Sequence, residues 1–197
     1  MLPVFTANHT DAIILAVTYV VWIMSELVWS RSRRPGRAAQ TNDRLSAPLL
    51  MLCIWAGIAT AFFGAFELPR DAIRSPRPAL FDAGILLMLA GMALRWYSIH
   101  VLGRYFTVVV ATQPGQTVVD RGPYRFLRHP SYSGALLTIL GLALALTNWF
   151  SILVAALFAV AGYSYRIAVE ERTLLARLGE PYREYMKRTK RIIPFVI

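Results

Sequence analysis

Two short stretches of this 197-residue chain hold the residue types best suited to chemistry. The first, DRGPYRFLRHPSYSG at 120–134, sets Arg121, Arg125, Arg128 and His129 among Tyr124, Phe126 and Tyr132. Pro130 biases His129 toward extended geometry and suits the first turn of a helix, so a helix is expected to begin at PSYSG with Arg128 and His129 just before it. The N–H groups of that helix start, beside cationic side chains, make a site for an anion such as a carboxylate. Anchoring to anionic lipid headgroups would also use arginines, but it requires neither the fixed proline nor the aromatic neighbours. The second stretch is YSYRIAVEERTLL at 163–175. Here Arg166 and Glu170 are four apart and share a helix face, while Glu171 turns toward the next one. Ionisable groups beside apolar runs face a protein interior or a wet cavity, unless they form an interfacial salt bridge that simply ends a span. Glu26 and Arg95 lie at matching ends of other apolar runs, and a polar cavity open to the cytoplasm would account for all three places at once.

The elements that must position these residues are membrane spans. The chain is 56% hydrophobic and 16% charged, with a mean hydropathy of +0.48, which places it outside the range of soluble domains. Its net charge of +10 lies in clusters between apolar runs, so the charge reads as cytoplasmic loops and not as a nucleic-acid face. Apolar segments near 12–30, 46–66, 79–99, 131–147 and 149–169 each approach the roughly 20 residues that cross a bilayer. The first reads as a span and not a cleavable leader, because Arg31, Arg33, Arg34 and Arg37 follow it as a stop-transfer pattern. Only TNW at 147–149 separates the last two, which predicts a tight antiparallel hairpin with Trp149 at the interface.

Lysine and arginine concentrate after the first span, in 100–130 and after 170, so the N-terminus is expected outside and the C-terminus in the cytoplasm. Beyond Glu171 the pattern predicts two short amphipathic helices, one with Leu174, Leu175 and Leu178 and one with Tyr182, Tyr185 and Met186, divided by GEP. They are expected to lie on the membrane surface and close over the cavity. The expected fold is all-α and polytopic, with about five transmembrane helices. Residues 1–99 form a three-span N-terminal part and 100–197 a catalytic part of one integrated domain. The single cysteine, Cys53, and the scattered His9, His100 and His129 offer no metal-ligand spacing.

RGPYRFLRHPSYSG, YRIAVEER and the ending GEPYREYMKRTKRIIPF, taken together, resemble the isoprenylcysteine carboxyl methyltransferase family, integral membrane enzymes related to the phospholipid N-methyltransferases. The resemblance covers about 95–197; the first three spans match in hydropathy alone. It implies methyl transfer from S-adenosyl-L-methionine to a lipophilic or lipidated acceptor in the membrane, most directly the carboxylate of a prenylcysteine-like lipid. It also implies a cofactor site of Tyr124, Arg128, His129, Pro130, Tyr132 and Glu170, with Arg166 and Glu171 at the reacting centre. The chain has no glycine-rich nucleotide fingerprint of the soluble type, in keeping with a cofactor site built differently. A phospholipid amine or a lipidic phenol is an alternative acceptor. An NADPH-dependent sterol-type reductase, whose family shares an arginine-histidine-proline-x-tyrosine stretch, and a small transporter are alternative functions.

Overall fold

The computed structural model describes residues 2–32, 40–41, 45–108, 111–112 and 114–192. Six helices run in order: α1 (His9–Ser32), α2 (Ser46–Glu67), α3 (Arg77–Leu102), α4 (Pro130–Ala145), α5 (Trp149–Leu178) and α6 (Glu180–Arg188). Two-residue strands β1 (Gln40–Thr41) and β2 (Ala111–Thr112) pair antiparallel. Arg33, Arg34, Arg37 and Arg44, and the last residues of the tail motif, lie outside the described residues.

Helices α1, α2, α3 and α5 are long and apolar enough to cross a membrane. The protein is an integral, multi-pass membrane protein, and large apolar side chains such as Ile13, Val28, Leu86 and Leu153 cover its outer surface. The expectation of about five spans, the fourth of them short, agrees with these four helices and the shorter apolar α4. Helix α4 has 16 residues, about 24 Å at 1.5 Å per residue, which falls short of a hydrocarbon core of about 30 Å. Its ends are fixed locally: Pro130 opens the first turn, and Thr147, with a φ of 52°, reverses the chain just beyond its end. Enclosed by protein, α4 need not match the bilayer; Ala135, Ile139, Leu142 and Ala145 are all buried.

What encloses α4 is a seam of small residues. Gly84 and Gly91 of α3 face Gly134 and Gly141 of α4, so that both helices present glycine at seven-residue spacing. A Cβ placed on Gly91 would lie 2.6 Å from the Gly134 carbonyl oxygen, and one on Gly134 would lie 2.6 Å from the Arg95 nitrogen. The two backbones are in direct contact. Between spans there is little hydrophobic drive, so close backbone packing of this kind supplies the attraction. The seam also brings Arg95 beside α4, where its Nη1 donates to the Ser131 carbonyl at 3.2 Å.

Asn148 makes the hairpin after α4 tight. Its Oδ1 accepts from the Ser151 N–H at 3.1 Å, capping α5, while its Nδ2 donates to the Leu68 carbonyl at 3.1 Å at the end of α2. Trp149 follows, exposed as expected of an interfacial aromatic. The two tail helices of the sequence pattern need correction. Leu174, Leu175 and Leu178 belong to α5, which runs unbroken for 30 residues, and the break comes at Gly179, whose φ of 63° ends the helix. No turn signal precedes Gly179 in that stretch, and the apolar stripe simply continues the face of the span. Replacing Gly134 by Leu should split the α3–α4 seam and cost at least about 1–3 kcal/mol, read as a lowered thermal midpoint in detergent. An unchanged midpoint would mean that the seam does not hold these helices together.

Candidate active site

Tyr132, one turn into α4, is the centre of the site. Its hydroxyl donates to Glu170 Oε2 at 2.5 Å and accepts from Arg166 Nε at 3.2 Å, both on α5. The His129 ring stacks on it with centroids 5.5 Å apart and planes 9° from parallel, and Tyr163 closes on the other side at 5.2 Å. Arg166 is only 2% exposed. Its Nη1 donates to the Ser46 hydroxyl at 2.7 Å and its Nη2 to the Val108 carbonyl at 2.5 Å, so one cation joins α2, α4, α5 and the loop before α4. Four-residue spacing on one helix face is what lets Arg166 and Glu170 reach the same tyrosine.

Two cavities meet at this centre. The first is lined only by residues from 102 to 185, among them Tyr124, Arg128, His129, Glu170 and Tyr182. The second, largely apolar, is lined mainly by α1 and α2 through residues such as Trp22, Trp55 and Ile58, with Arg95 from α3. Phe106, Thr107, Tyr132 and Arg166 line both. In the second cavity Glu26 forms a two-pronged ion pair with Arg95, with Nη2 2.6 Å from Oε2. Glu26, Arg95 and Arg166 thus line one cavity, as the sequence reading expected, but that cavity is largely apolar and the other one, under α6, also meets Arg166. Glu26 and Arg95 belong only to the apolar one. Distance along the chain hid this division, since nothing local in the sequence says which of two spaces a span end will face.

Glu171 lies outside the lining of both cavities. Its carboxylate, 7% exposed, accepts from Arg128 Nε at 2.7 Å and from Arg191 Nη2 at 3.0 Å, and lies 3.3 Å from His129 Nε2. Around it the tail pairs with the loop before α4: the Arg128 N–H donates to the Lys190 carbonyl at 2.7 Å, and the Lys190 N–H to the Phe126 carbonyl at 3.0 Å. Arg128 still lines the first cavity while its Nη1 reaches the Met186 and Thr189 carbonyls. Pro130 is buried at the first turn of α4 and lines neither cavity.

Helix α6 covers the first cavity, as the tail was expected to. Tyr185 donates to the Tyr124 carbonyl at 2.7 Å, and Tyr182 lines the cavity with a buried hydroxyl that has no partner. Burial pushes the Tyr124, Tyr182 and Tyr185 hydroxyls well above their ordinary range, so all three act as neutral groups. Sequence reasoning missed Ser46, Val108 and Trp22; only the fold brings them to the site. Among the described residues no three His, Cys, Asp or Glu side chains converge as for a metal.

Residues 84–176, which hold Tyr132, Arg166 and Glu170, match the model of the isoprenylcysteine carboxyl methyltransferase family. The likeness to that family lies in this part of the chain. Relatives agree. Protein-S-isoprenylcysteine O-methyltransferase B of Arabidopsis thaliana is 33% identical over 115 residues, 57% of this chain and 58% of its own length. The protein-S-isoprenylcysteine O-methyltransferase of Rattus norvegicus is 33% identical over 119 residues, 59% of this chain and 42% of its own. The solved structure of the eukaryotic intramembrane Ras methyltransferase, an isoprenylcysteine carboxyl methyltransferase, superposes with a TM-score of 0.62 at 25% identity, over 79% of this chain and 55% of that one. The match thus spans only 42–58% of the length of these relatives. The family segment takes in the α3–α4 seam, the hairpin and most of α5, while α1 and α2, which supply much of the apolar cavity, lie outside it.

Glu171 should hold the tail to the family segment. Glu171→Ala leaves two arginines facing each other without their shared carboxylate, a loss of about 3–5 kcal/mol for a buried pair. Amide exchange at Arg128, His129 and Lys190, whose N–H groups join the loop to the tail, is expected to rise well above that of α3, and equal protection in the variant would show that the tail docks without it.

Proposed function

We propose that this protein transfers a methyl group from S-adenosyl-L-methionine to the carboxylate of a prenylcysteine-like lipid. The donor is held in the cavity under α6 and the acceptor in the apolar cavity beside α1 and α2. The single observation that carries this reading is Arg166, a buried cation that lines both spaces at their meeting point. The names of the relatives supply the chemistry; the two spaces supply a place for each reactant.

The residues of the first cavity fit a sulfonium donor. Arg128 suits an amino-acid carboxylate, Glu170 a ribose hydroxyl or an ammonium, and the Tyr124 and Tyr132 rings a flat base or a cation. The unpartnered Tyr182 hydroxyl is one more hydrogen-bonding group available to a polar ligand. When bound, that donor supplies an electrophilic methyl group. Everything else is alignment. The transfer is an in-line displacement, so the site must hold acceptor oxygen, methyl and sulfur in a row and keep water out. Arg166 would hold the acceptor carboxylate through its planar fork, and a carboxylate needs no base. Arg95 and Arg166 against Glu26 leave the apolar cavity with one excess positive charge, which favours an anionic head over an amine. In this division of labour residues 100–197 serve the donor and 1–99 mainly the acceptor. Glu171 is a positioning residue that fixes Arg128, His129 and the α6 cover.

Arg166→Lys tests the reading. Lysine keeps the charge and loses the fork, so turnover should fall by about tenfold or more while S-adenosylhomocysteine still raises the thermal midpoint. A folded Arg166→Lys protein with normal turnover would reduce Arg166 to a structural anchor, and stabilisation of the wild type by NADPH alone would favour a reductase.

We also infer that the C-terminus and the donor cavity face the cytoplasm, because the basic residues concentrate on that side. A membrane-impermeant thiol reagent should reach Lys187→Cys from the cytoplasm and Ser75→Cys from outside. The reverse pattern would put the donor cavity on the wrong side of the membrane.

A further inference from the structure

The carboxylate reading leaves one feature without a use. A carboxylate arrives at the site with no proton to lose, yet the meeting point of the two cavities holds a ready proton acceptor. Tyr132 lines both spaces, and its hydroxyl gives its hydrogen to Glu170 Oε2 at 2.5 Å. The oxygen accepts one hydrogen bond, from Arg166 Nε, which leaves it a second lone pair. His129 stacked on the ring and Tyr163 against it fix its orientation. Glu170 is 26% exposed, so a proton taken up there has a path to water. The titratable groups facing it are Tyr132, His129 with Nδ1 at 4.0 Å, and the Tyr124 and Tyr182 phenols of the loop and α6.

We propose that Tyr132 and Glu170 form a proton-accepting relay, and that the site therefore also methylates lipophilic phenols. This rests on the methyl-transfer reading above. In the step, a lone pair of the phenol oxygen forms the new O–CH3 bond as the S–CH3 bond of the sulfonium donor breaks, its electron pair staying on sulfur. The phenol proton passes to the Tyr132 oxygen while the tyrosine's own proton moves to Glu170, which releases it to water. Tyr132 ends neutral, as it began. Two features of the acceptor cavity suit a phenol. Trp22, Trp55 and Tyr163 give it aromatic walls for a flat ring. Arg166 beside Tyr132 stabilises the negative charge that develops on the phenol oxygen, whereas the same excess of positive charge disfavours a lipid amine.

The experiment compares two acceptors on the full chain, purified in detergent, with methyl-labelled S-adenosylmethionine: 3-pentadecylphenol and N-acetyl-S-farnesylcysteine. Quenching of tryptophan fluorescence by the phenol reports its entry beside Trp22 and Trp55 independently of turnover. Both methyl products are expected. In Glu170→Gln and Tyr132→Phe the ratio of phenol to carboxylate methylation should fall at least about tenfold, the smaller end of a general-base effect. Wild-type phenol methylation should change little from pH 7 to 9. In Glu170→Gln it should climb about tenfold per pH unit, because only phenol ionised in water then reacts and its ordinary pKa is about 10. A purely structural role for Glu170 would lower both activities alike and give the wild type and Glu170→Gln the same pH profile. Carboxylate methylation with no phenyl ether, or an unchanged ratio in Glu170→Gln, overturns the relay. Phenol methylation alone keeps it and corrects the acceptor. Neither product overturns the methyl-transfer reading and the relay with it.

Discussion

A guanidinium buried at the edge of a membrane must be satisfied by protein, and this fold is arranged around that requirement. Arg166 is 2% exposed and its bonds go to Tyr132, Ser46 and the Val108 carbonyl, on α4, at the start of α2 and in the loop before α4. An unpaired charge at that depth would be strongly destabilising. The bonds that satisfy it fix the relative places of the elements that border both cavities. The α3–α4 glycine seam does the complementary work on the other side of α4, and it carries Arg95 into place opposite Glu26.

The same constraint explains why the chain divides as it does. Residues 84–176 carry the family match and hold Tyr132 and Arg166 together with much of the lining of the cavity under α6. Helices α1 and α2 wrap an apolar space against those two residues and lie outside the matched segment. A methyl-transfer centre has strict geometric needs, whereas a hydrocarbon chain is accommodated by any apolar surface of the right length.

Much of the site was legible in the sequence because it is local. Pro130 after Arg128 and His129 announces the start of α4, and the four-residue spacing of Arg166 and Glu170 announces a shared face. The spans followed from hydropathy, and Trp149 at the hairpin from the shortness of TNW. What was hidden is non-local. The length of α4 gave no sign that protein would enclose it, and that enclosure depends on glycines in another helix. That Glu171 faces away from Glu170 was legible from the turn per residue, but its partners there, Arg128 and Arg191, come from distant parts of the chain. Gly179, not an earlier turn, ends α5, since only it has the left-handed backbone there.

The central claim is that donor and acceptor occupy separate spaces that meet at Tyr132 and Arg166. A structure of the protein with S-adenosylhomocysteine bound tests it most directly. The account predicts the ligand under α6, against Tyr124, Arg128 and Tyr182, with its sulfur toward Tyr132 and Arg166 and the space beside Trp22 left for the acceptor. A ligand seated among Trp22, Trp55 and Ile58, or with its sulfur turned away from Arg166, would contradict it.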